Sequence, residues 1–89
     1  MSPMTANFKY KIMFEPSVRN IFVLRDYFNR FTDSVLVSRN NEIRRVNTKS
    51  LIGWLSIGLT RYDTINLYFN ESINVQNIKS VLDLIEISK

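Results

Sequence analysis

The chain has 89 residues, 45% of them apolar and 22% charged, with twelve Lys and Arg against eight Asp and Glu, for a formal charge of +4. That is the composition of one folded domain, which buries about 60–65% of the surface its unfolded chain exposes. Cysteine and histidine are both absent. Their absence removes disulfides, thiolate metal sites, thiol nucleophiles, the usual general base near neutral pH and any phosphohistidine. No cofactor or metal-ligand set is therefore expected, and no catalytic constellation is visible. No apolar run reaches the length of a membrane span, and residues 1–11 lack a signal-peptide pattern, so a soluble, cytoplasmic protein is expected.

Residues 1–6 read as a loose tail. Phe8, Tyr10, Ile12 and Phe14 then alternate with Lys9, Lys11 and Met13, a period-two strand that Pro16 should end. Ser17 is a natural N-cap. Val18, Ile21, Leu24, Phe28 and Phe31 recur at helical spacing, with Arg19, Asp26 and Arg30 on the wet side and Asp33-Ser34 as the break. Val35 and Val37 mark a short strand. Asn40-Asn41 predicts a tight hairpin, and Ile43 to Val46 the returning strand, with Arg44 and Arg45 suiting an edge.

The stretch Val46 to Leu59 holds both glycines and the single tryptophan of the chain. Ser50 caps a predicted helix through Ile57, and Gly58 suits the left-handed position that ends many helices. This helix is apolar on nearly every side, so part of it must stay exposed. Trp54 is either a core plug or a binding hot spot. Thr64 to Phe69 alternates again, with Ile65, Leu67 and Phe69 on one face. Ser72 or Asn74 caps a last helix whose stripe is Val75, Ile78, Leu82 and Ile85. The order β-α-β-β-α-β-α predicts an α+β open-faced sandwich: a four-stranded antiparallel sheet with three helices on one face.

The run Val46-Asn47-Thr48-Lys49-Ser50-Leu51-Ile52-Gly53-Trp54-Leu55-Ser56-Ile57-Gly58, in this order of elements, resembles the HPr family, the small phosphocarriers of the bacterial sugar phosphotransferase system. Family members carry V-N-x-K-S-I-M-G-x-M-S-L-G there. The likeness runs from about Phe8 to Ile87 and is densest after Val46. It implies the HPr open-faced β-sandwich over a single domain, residues 1–89. It departs at the head of the first helix, where the family has G-x-H-x-R-P and the histidine carries the phosphoryl group. Here Glu15-Pro16-Ser17-Val18-Arg19-Asn20 stands on that motif. Ser17 takes the histidine position, Arg19 matches the arginine that helps neutralise phosphate, and Asn20 replaces the proline.

The resemblance implies a regulatory rather than a relaying protein. In Gram-positive HPr proteins the serine matching Ser50 is modified by a dedicated ATP-dependent kinase, and the product binds a catabolite-control transcription factor. Leu51, Ile52 and Leu55 match the family's docking patch. Some relatives lack the histidine, keep the serine and act only in catabolite regulation. The expected partners are thus proteins, an HPr kinase and a catabolite-control transcription factor among them. The chain itself is expected to be a monomer or weak dimer, with no membrane role. Two other readings stay open: an HPr-fold binding module with neither phosphorylation role, and a nucleic-acid module. The latter would use Arg39, Arg44, Arg45, Lys49 and Arg61, but no aromatic RNA-binding motif is interleaved with them, which favours a solvated hairpin face.

Overall fold

The computed structural model describes residues 6–88, the last three as backbone only. The predicted tail therefore lies outside the described residues, except that Ala6 opens the first strand. The elements are β1 (Ala6–Lys11), α1 (Val18–Phe28), β2 (Leu36–Arg39), β3 (Val46–Asn47), α2 (Leu51–Ser56), β4 (Thr64–Phe69) and α3 (Val75–Ser88). The strands form one antiparallel sheet in the order β1-β4-β2-β3. The expected α+β open-faced sandwich is the fold observed.

Alternation decides which face is buried. Phe8 opposes Leu67 and Tyr10 opposes Ile65, so these side chains share the face under the helices. Val37, Ile65, Leu67 and Phe69 there meet Ile21, Leu24 and Phe28 of α1, Trp54 of α2 and Ile78, Leu82 and Ile85 of α3 in one core. Among the described residues no helix is long and apolar enough to cross a membrane.

Three boundaries differ from the sequence expectation. β1 stops at Lys11 rather than running to Pro16, although Ile12 and Phe14 stay fully buried. Its partner runs out: Tyr62 lies at φ 75°, a left-handed conformation that ends the extended run before β4. Ile12 still exchanges backbone bonds with the turn, donating to the Asp63 carbonyl (2.8 Å) and accepting from Tyr62 (2.7 Å). α1 ends at Phe28, not at Asp33, because the chain tightens into i→i+3 bonds from Arg30 to Tyr27 and from Phe31 to Phe28. Val18 is 64% exposed rather than core, since it overhangs the buried stripe by one turn.

The third difference is the hairpin. Asn40 does adopt positive φ (50°), and Glu42 donates to the Arg39 carbonyl to close a turn. Yet the return is not a strand until Val46, and Ile43 is 95% exposed. Asn40 is engaged elsewhere: its N–H donates to the Thr64 carbonyl and its Oδ1 accepts from the Thr64 N–H (3.0 Å). It therefore prolongs pairing with β4, and Arg44 and Arg45 lie in a loop rather than in the edge strand. At α3, of the two caps that the sequence left open, Asn74 takes the position, accepting from Gln76 N–H at 2.9 Å, while Ser72 donates to Asp33.

Candidate functional site

Two helix starts carry the residues singled out by sequence. At the head of α1, Ser17 has extended backbone angles (φ −63°, ψ 161°), and its Oγ accepts the Asn20 N–H at 3.2 Å. The Asn20 amide donates back to the Glu15 carbonyl at 2.7 Å. The asparagine that replaces the family proline thus ties the loop before the helix to its first turn. Ser17 also lines an open cavity of about 380 Å³ with Glu15, Pro16, Leu59, Thr60 and Arg61. The cation on that cavity is Arg61, anchored by a bond to the Met13 carbonyl (3.2 Å). Arg19, the residue expected there, is exposed on α1 and does not line the cavity.

The turn opposite Ser17 is held by Asp63. Its Oδ2 accepts from Thr60 N–H (2.8 Å), Thr60 Oγ1 (3.0 Å) and Arg39 Nε (2.8 Å). The Thr60 backbone bond, followed by the Arg39 bond and charge, lowers the Asp63 carboxyl below its ordinary value despite the opposing effect of burial.

At the head of α2, Ser50 is half-buried with φ −100° and ψ 116°, and its Oγ accepts the Gly53 N–H at 3.0 Å. Glycine at 53 is steric: a Cβ would sit 3.2 Å from the Cβ atoms of both Ser50 and Val46, tighter than most real contacts. Gly58 follows the helix at φ 61°, as expected. Lys49, beside the cap, donates its ammonium to the Phe31 carbonyl at the end of the α1 turn.

The three apolar residues of the expected patch separate. Ile52 is 80% exposed and Leu55 44% exposed, whereas Leu51 is half-buried and packs on the core. Trp54 is the core plug of the two alternatives left by sequence. It is 1% exposed, its ring centroid lies 6.0 Å from that of Phe28, and its Nε1–H donates to the Thr48 carbonyl at 2.7 Å. Thr48 is itself buried and donates to the Val35 carbonyl, so the tryptophan locks α2 to the hairpin and to α1.

Sequence reasoning missed the apolar surface of α1. Val18 and Phe22 stand one turn apart and both are exposed, Phe22 at 46% with the Arg25 guanidinium 4.9 Å from its ring. Their i, i+4 spacing was the available signal. Among the described residues no group of acidic side chains could hold a metal ion.

No protein-family model and no curated protein matches the chain. Solved structures do. HPr-C-His from Thermoanaerobacter tengcongensis superposes with a TM-score of 0.75 at 23% identity, covering 92% of each chain. The chain has the HPr fold. A phosphocarrier protein HPr from Bacillus anthracis strain Ames superposes with a TM-score of 0.69 at 16% identity, covering 89% of this chain and 96% of that one. The HPr likeness seen in the Val46–Gly58 run is thus matched by the whole architecture. At such identities the likeness establishes the fold, and roles must be argued from the residues of this chain.

Proposed function

We propose that this chain is a non-catalytic HPr-fold interaction protein of the bacterial cytoplasm, related to the phosphotransferase system. It does not relay phosphate, and it is controlled by phosphorylation of Ser50. The observation that carries the first part is chemical: the chain has no histidine, and the residue at the expected acceptor position is Ser17. A histidine phosphate is a phosphoramidate that passes readily to the next protein. A serine phosphate is a stable ester and would end the relay. Ser17 also has no base to activate it among the residues lining its cavity, apart from the Glu15 carboxylate.

Ser50 is supported as the regulated site by its place at a helix start. Free N–H groups and the helix dipole favour a phosphate there, and the added charge of about −1.5 to −2 alters the surface beside it. That surface includes Ile52 and Leu55, whose exposure supports docking to a protein. Arg19 and the exposed face of α1 extend the contact region, with Leu51 supporting it from below. The partners that fit are an HPr kinase and a catabolite-control transcription factor.

Titration calorimetry with that transcription factor tests the reading. The Ser50-phosphorylated chain should bind at least about tenfold more tightly than the unmodified chain, a difference of about 1.4 kcal/mol. Ile52→Asp should abolish the gain. Equal affinity of modified and unmodified chains would refute the regulatory role and leave an HPr-fold binding module without it.

A further inference from the structure

The open face of the sheet, turned away from the helices, forms a surface independent of α1 and α2. Its membership follows from register. Residues opposing each other across antiparallel strands point the same way, so Lys9 and Asn66 share this face, as do Lys11 and Thr64, and Asn7 and Tyr68. From β2, Ser38 opposes Asn66 and Leu36 opposes Tyr68. Among the described residues no strand contains Asp or Glu. Lys9 and Lys11 are exposed, and neither enters an ion pair among the described residues.

Two further features lie on the same face. The guanidinium of Arg45, exposed in the hairpin loop, lies 3.7 Å from the Tyr68 ring centroid. The guanidinium thus covers the ring face, and the Tyr68 hydroxyl is bonded to Ser38 Oγ (3.1 Å). Beside it, Asn66 is only 5% exposed and donates its amide N–H to the Asn40 carbonyl, while its Oδ1 is buried with no hydrogen-bond partner. A buried acceptor without a donor costs the fold free energy.

We propose that this face binds single-stranded nucleic acid. Lys9 and Lys11 stand two residues apart on β1, about 6.6–6.8 Å along the strand, a spacing that suits successive phosphates of an extended backbone. Tyr68 lies on β4, the strand beside β1, two residues along from Asn66, the partner of Lys9, so a nucleotide whose phosphates sit on the lysines can reach the Arg45–Tyr68 pair. The outer plane of the guanidinium receives a base, as arginine planes do in single-strand recognition. An acidic peptide would satisfy the lysines but has no planar group for the stack, and a duplex hides its base faces. The basic residues weighed by sequence did not include Lys9 or Lys11. The fold brings one of those that were weighed, Arg45, over an aromatic ring on the sheet face that also carries the two lysines of β1.

The test is fluorescence anisotropy of the full chain with labelled oligo(U) and oligo(dT) of about ten nucleotides, from about 50 to about 200 mM salt. The probes are set against a duplex of equal length, polyglutamate and phosphatidylglycerol vesicles. Both single strands should bind in preference to the three controls. The double variant Lys9→Gln/Lys11→Gln should reduce the slope of log K against log salt by about 1.4. Arg45→Gln, at an exposed position that leaves the fold intact, should weaken binding about tenfold. Tyr68→Leu should do the same, with circular dichroism to confirm folding. Absence of binding at the lowest salt overturns the proposal. So does a control bound as tightly as the single strands, or an affinity insensitive to Arg45→Gln. None of these readouts involves Ser50 or the α2 face, so this proposal and the regulatory reading stand or fall separately.

Discussion

Replacing Ser50 by Ala and by Asp separates its structural role from its regulatory one. In Ser50→Ala the Gly53 N–H loses the partner it now has at 3.0 Å, and a six-residue helix loses its N-cap. Caps of this kind are worth about 1 kcal/mol. In a domain of this size that corresponds to a fall in Tm of about 4–8 °C. Aspartate caps as well as serine does. Its charge also interacts favourably with the helix dipole, by about 0.3–1 kcal/mol at low salt. Ser50→Asp should therefore match the wild type or exceed it slightly, with any excess shrinking as salt is added. Thermal unfolding followed by circular dichroism at low and high salt measures both effects. Unfolding of Ser50→Ala at the wild-type temperature would refute the capping argument. A loss in Ser50→Asp equal to that in Ser50→Ala would refute the claim that this helix start accommodates a negative charge.

Three other substitutions probe the frame around the site. Trp54→Phe keeps most of the ring but removes the donor to the Thr48 carbonyl; it should cost about 1–3 kcal/mol in urea unfolding. Trp54→Ala should cost about 3–5 kcal/mol. Ile52→Asp should leave stability within about 0.5 kcal/mol, because the side chain is 80% exposed; a large loss would show that Ile52 supports the core. For Asp63 the folded carboxyl titrates below its ordinary value of 3.8, so the stability it contributes is complete above that value and is lost as pH falls through the folded pKa. The gap between wild type and Asp63→Asn should be constant near neutral pH and close only on acidification; a gap that closes on raising the pH would contradict the sign.

Much of the fold was legible because its pattern is local. The strand alternation at Ile65, Leu67 and Phe69, and the stripe Ile78, Leu82 and Ile85, are written in spacing alone, and all six are buried. The caps Ser17 and Ser50 were legible for the same reason. The hairpin was not, because Asn40 bonds to Thr64, 24 residues away, and a long-range partner leaves no mark in local periodicity. The site was legible only in part. Ile52 and Leu51 are adjacent apolar residues on an all-round apolar helix, and only tertiary packing decides which is exposed. Arg61 reaches the Ser17 cavity, and Lys9 and Lys11 come to share a face with Tyr68, through pairing of β1 with β4 and the turn before it, far apart in sequence. That pairing is fixed by the sheet and not by neighbouring sequence.

The central claim is that this HPr fold receives phosphate as a signal and does not pass it on. It is tested most directly by incubating the chain in parallel with Enzyme I plus phosphoenolpyruvate and with an ATP-dependent HPr kinase, then mapping phosphate by mass spectrometry. The account predicts phosphate on Ser50 in the kinase reaction and none in the phosphoenolpyruvate reaction. Phosphate that appears only with Enzyme I and phosphoenolpyruvate would contradict it.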